Sequence, residues 1–138
     1  MKIYDEYKSE FIEIQRNHSE DYYYPSVNLE IKIKTRILEA NIESIWVERK
    51  NIEAFIDNLT ILDETRKGKA ILVGMSPERF KLELVGIDDS GHLGIGIRIE
   101  NENFSETGYN NVIQTGFKID AGLISLLITD LKRIIKNH

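Results

Sequence analysis

At 138 residues, 41% hydrophobic and 30% charged, the chain has the length and composition of one ordinary globular domain and not of a disordered segment. Eighteen basic residues against 23 acidic ones give a formal charge of -5. That sign argues against a nucleic-acid binder, which needs Lys and Arg to neutralise phosphates, and the lack of cysteine excludes disulfides, thiolate nucleophiles and Cys-ligated metals.

The opening MKIYDEYKSE lacks the apolar core of a signal peptide, and no 18-residue apolar run follows that could span a bilayer. A cytoplasmic protein without membrane association is expected. No composition shift marks a linker, so residues 1–138 are taken as one domain. Residues 11–15, FIEIQ, read as a short strand, and 16–25 as a polar, then aromatic, loop ending at Pro25. Val27, Leu29, Ile31 and Ile33 then alternate with Asn28, Glu30, Lys32 and Lys34, the period of a strand with one buried and one wet face. Residues 38–47 continue as strand, and Trp46, at its end just before a helix, is expected to seal the edge of the core.

The period then changes. Ile52, Phe55, Ile56, Leu59 and Leu62 fall on one stripe of a helix, which the basic turn Arg66-Lys67-Gly68-Lys69 ends. Four further strands are read at 70–73, 79–87, 92–99 and 111–119, with Asp88-Asp89-Ser90-Gly91 supplying the turn between the second and third. Gly94 and Gly96 share a strand face and suggest the close approach of another group. Asp120 caps a last helix anchored by Leu123, Leu126, Leu127, Leu131, Ile134 and Ile135, with Lys132, Arg133 and Lys136 near its C-terminus. The sum is an α+β fold: a meandering antiparallel sheet with one inserted helix and a C-terminal helix packed on it.

No motif points to catalysis. Gly91–Gly96 runs G-x-x-G-x-G inside a strand, the wrong order and the wrong context for a dinucleotide loop. Asp88-Asp89-Ser90-Gly91 lacks the spaced oxygen ligands of a calcium loop, and its likeness to the D-x-S-x-x-G element of cyclic-di-GMP-binding domains fails because Leu93 holds the glycine position. His18, His92 and His138 form no i, i+3 or i, i+4 metal pair. No enzyme activity, cofactor or metal is therefore expected. The segment Glu20, Asp21, Tyr22, Tyr23, Tyr24 is the candidate partner-binding site. Three consecutive tyrosines cannot all face one core in an extended chain, and acidic neighbours suit a basic partner.

The stretch IESIWVERKNIEAFI (residues 42–56), followed by GMSPERF (74–80), LEL (82–84) and GHL (91–93), resembles the WapI-like bacterial immunity proteins. The resemblance covers roughly residues 10–136 and implies a cytoplasmic, non-catalytic antitoxin that binds and occludes a cognate toxin domain such as a nuclease. The alternative reading is a small-molecule-binding module with a pocket at Gly94 and Gly96. A third, an enzyme built from scattered Asp, Glu, His and Tyr, requires a cleft with two displaced carboxylates.

Overall fold

The computed structural model describes residues 1–17, 25–88, 90–101 and 108–136. Strands β1 (Lys2–Tyr4), β2 (Phe11–Arg16), β3 (Ser26–Lys34) and β4 (Glu39–Glu48) form one antiparallel sheet in sequential order, and β4 runs straight into helix α1 (Arg49–Thr65). Strands β5 (Lys69–Val73), β6 (Phe80–Gly86), β7 (His92–Asn101) and β8 (Asn111–Asp120) form a second four-stranded meander. It leads through a 3-10 turn (Ala121–Leu123) into helix α2 (Ile124–Ile135). The α+β architecture is as the sequence predicts, with α1 dividing the meander into two sheets. The order of elements, four strands then a helix, is thus used twice.

Alternation decides which faces meet. Val27, Leu29, Ile31 and Ile33 of β3 and Leu93, Ile95, Ile97 and Ile99 of β7 are all buried, and the residues between them are not. The five apolar residues of the α1 stripe are buried as well, and α1 packs on β5 and on α2. Both inner sheet faces and both helices contribute to a continuous apolar cluster. Helix α2 departs from its expected anchors: Ile124, Leu127 and Leu131 are buried, whereas Leu126 is 60% exposed. One face of a helix takes residues spaced three and four apart, and Leu126 falls off the face that Ile124, Leu127 and Leu131 share.

The helix ends are satisfied by local groups and by groups distant in sequence. The Arg49 N–H at the start of α1 donates to Pro25 C=O (2.8 Å), and Arg66, left-handed at φ 59°, closes its end by donating to Leu62 C=O. The Asp120 carboxylate accepts from Gly122 N–H (3.0 Å) and so caps the 3-10 turn, one turn earlier than α2 proper. At the far end of α2, the Arg16 guanidinium donates to Ile134 C=O (2.8 Å) and that of Arg49 to Ile135 C=O. Cations there meet the orphan carbonyls and negative end of the helix dipole. The β1–β2 turn is braced by buried Asp5, whose carboxylate accepts from Ser9 N–H (2.7 Å), Glu10 N–H (3.0 Å) and Ser9 O–H (2.9 Å). The β6–β7 hairpin closes as expected, with Asp88 accepting from Ser90 N–H (2.9 Å) and Gly91 at φ 87°.

Candidate partner-binding groove

The candidate segment of residues 20–24 lies outside the described residues. It leads into Pro25 and Ser26, and Ser26 lines a groove of about 710 Å³ at the junction of the two sheets. One wall of the groove is β4, the other the turn between β5 and β6 with the end of β7; Ile42, Ile45, Phe80 and Ile99 line its apolar part.

A bulge in β4 shapes this wall. Leu29 of β3 lies opposite Ile45, but Ile31 lies opposite Ile42, so Glu43 and Ser44 together face the single residue Glu30. The extra residue shifts the phase of the strand. Ala40 and Ile42 point inward before the bulge, Ile45 and Val47 after it. Polar side chains pin the bulge in place: the Asn17 amide donates to Glu43 C=O (2.8 Å) and to Asn28 Oδ1, and Asn28 Nδ2 donates to Ser44 Oγ (2.7 Å).

Trp46 is consequently turned outward. It is 44% exposed and does not seal the core as the sequence reading expects. An unbulged strand would have carried it inward with Ala40 and Ile42. Beside it stands Met75, 53% exposed, whose N–H donates to Trp46 C=O (2.9 Å) and ties the β5–β6 turn to the open edge of β4. Gly74 permits that approach, since a Cβ there would lie 3.4 Å from Trp46 C=O and 3.3 Å from Phe80 Cβ. Trp46 and Met75, both exposed and both lining the groove, offer it a broad flat aromatic and an adaptable thioether.

Its electrostatics are mixed, with acidic groups on the β4 side. Of the strand's three glutamates Glu43 lines the groove, while Glu39 pairs with Lys34 and Glu48 with Lys50 (3.2 Å). On the opposite wall Glu100 accepts from Asn110 Nδ2 (3.0 Å) and pairs with Arg98 (3.1 Å), and Arg98 also donates to Glu78 C=O (2.7 Å). The Asn110 hydrogen bond, with those of Arg98, holds the Glu100 carboxyl below its usual range, so it stays an anion as the pH falls toward that range.

Two other depressions differ in character. A cleft of about 520 Å³ on the outer face of the first sheet is lined by Lys2, Lys8, Lys32 and Lys34 around Tyr4 and Phe11. Its charges alternate, with Lys34 3.7 Å from Glu39, Lys32 4.0 Å from Glu30, and Lys2 resting over the Phe11 ring at 4.1 Å. That is the pattern of a solvated face. A shallow dish of about 420 Å³ on the outer face of the second sheet includes Gly94 and Gly96. The expected close approach is present at Gly94, where a Cβ would lie 3.3 Å from Ile87 Cδ1, but not at Gly96, where the nearest atom would be 4.0 Å away. The tight glycine is its cross-strand neighbour Gly116, where a Cβ would fall 2.5 Å from Ile95 C=O.

Among the described residues no three His, Cys, Asp or Glu side chains gather as a metal site, and no helix is long and apolar enough to cross a membrane. No family model, curated protein or solved structure matches the chain.

Proposed function

We propose that the protein is a non-catalytic immunity protein of the cytoplasm that binds a cognate bacterial toxin domain and works by covering it. The observation that carries this reading is the outward Trp46 beside Met75 at the mouth of the inter-sheet groove. Large aromatic side chains next to a pocket are the usual anchors of protein interfaces. Net charge and Glu43 on the β4 wall favour a basic partner and would speed its approach. The class of partner comes from the resemblance to WapI-like immunity proteins, and the composition of residues 20–24, acidic and tyrosine-rich, includes them in the proposed contact.

Affinity capture with the tagged protein from its source cells, at low and moderate salt and read by mass spectrometry, tests the reading. A single stoichiometric basic partner, held less well at the higher salt, is expected. Recovery of no partner at either salt would overturn it.

A second reading keeps one observation in its favour. The dish at Gly94 and Gly96 is open and bordered by Lys81, Glu83 and Arg98, so a small polar ligand would find both charges within reach.

A further inference from the structure

Strand β8 is the last in its sheet, and its ten residues pair with β7 on one side along their full length. In antiparallel strands the N–H and C=O groups of alternate residues point to alternate sides. Two bonds on the far side of β7 fix the phase: His92 C=O accepts from Ile87 N–H (3.0 Å), and Glu100 N–H donates to Arg79 C=O (2.9 Å). Even-numbered residues of β7 therefore turn their backbone groups toward β6. Their partners on β8, namely Val112, Gln114, Gly116 and Lys118, turn theirs off the edge of the sheet. Among the described residues nothing pairs with these groups.

Sheet edges in soluble proteins are ordinarily blunted by proline, a bulge, unbalanced charge or a covering element. β8 has no proline, runs in unbroken register with β7, and carries one Lys and one Asp, whose charges cancel. On a chain of charge -5 this strand is a neutral strip, where two copies meet with little repulsion. The core is also unfinished beneath it. Ile113, Thr115 and Phe117 point inward but are only half-buried, while Ile95, Ile97 and Ile99 opposite them on β7 are buried.

We propose that β8 pairs antiparallel with β8 of a second copy about a two-fold axis at Gly116, joining two four-stranded sheets into one of eight. That register sets Gly116 against Gly116 of the partner subunit at the axis, where the missing side chains leave the dish floor continuous. Gln114 falls opposite Lys118 of the partner subunit, and on the inner face Phe117 meets Thr115 of the partner subunit, while Ile113 falls in register with Ile119 of the partner subunit, a position buried within its own chain. The contact is self-complementary, as a two-fold interface requires, and it covers the half-buried inner residues. It leaves the groove at Trp46, on the other sheet's edge, free for a different partner.

Light scattering coupled to gel filtration, run from micromolar to near-millimolar protein, reads the prediction directly. The expected mass is twice the 16.0 kDa of one chain. Gln114→Pro removes one outward N–H and leaves the ladder to β7 intact, so the variant is expected to run as a folded single chain. Gln114→Lys faces a like charge across the axis twice and is expected to raise the dimer dissociation constant about tenfold; it decides the matter should the proline variant not fold. A wild-type mass of one chain throughout, or a folded Gln114→Pro protein still at twice that mass, overturns the proposal.

Discussion

Gly96 and Gly116 face each other across two strands on the same side of one sheet, yet they do different jobs. A methyl group at Gly116 would collide with the backbone carbonyl of Ile95, which no side-chain rotation relieves; at Gly96 there is room for one. Gly116→Ala is therefore expected to cost about 1–3 kcal/mol, the usual range for forced overpacking. Gly96→Ala is expected to be neutral or to gain about 0.5 kcal/mol from the lost flexibility of glycine. Urea denaturation of the two variants checks both, and equal midpoints would contradict the assignment. In the sequence the two glycines look alike, and the close approach is expected at Gly94 and Gly96; only the cross-strand register, a non-local property, separates them. Trp46 teaches the same lesson. Alternation is legible residue by residue, but a bulge resets it, and nothing in A-N-I-E-S-I-W-V announces that two residues will face one.

Most elements were legible because their periods are strong. The runs in β3, β7 and α1 repeat without interruption, and each buries the side its pattern names. Strand β1 was not read at all: three residues give no period, although Ile3 is buried and Lys2–Tyr4 pairs with β2. The division into two sheets was equally hidden, since a helix between strands 4 and 5 is compatible with one sheet or two. Helix α2 marks an intermediate case, because a leucine-rich helix offers more apolar residues than one face can bury. Leu127→Ala, which empties a buried position, is expected to cost about 2–5 kcal/mol. Leu126→Ala, one residue away and exposed, is expected to change stability by less than about 0.5 kcal/mol. Comparable melting shifts in the two variants would mean that the helix is rotated about its axis.

At the scale of the molecule, two meanders and two helices share an apolar cluster, and the two proposed contact surfaces sit where that sharing is incomplete. One is the groove at the sheet junction; the other is the open edge of β8. The candidate site is legible only as a class of surface: the acidic balance and the lack of a catalytic motif suggest binding, but the sequence points to residues 20–24 and to Trp46 as a seal on the core. The groove itself needs the bulge, the Gly74 approach and the Met75–Trp46 hydrogen bond, three features with no sequence period. Because Trp46 is the chain's single tryptophan, it is also a built-in probe of that groove. The decisive measurement is the emission and acrylamide quenching of Trp46 as the captured partner is titrated in. A blue shift with loss of quenching at one-to-one stoichiometry is what the account predicts. Emission and quenching unchanged in a complex that has demonstrably formed would place the partner elsewhere and contradict it.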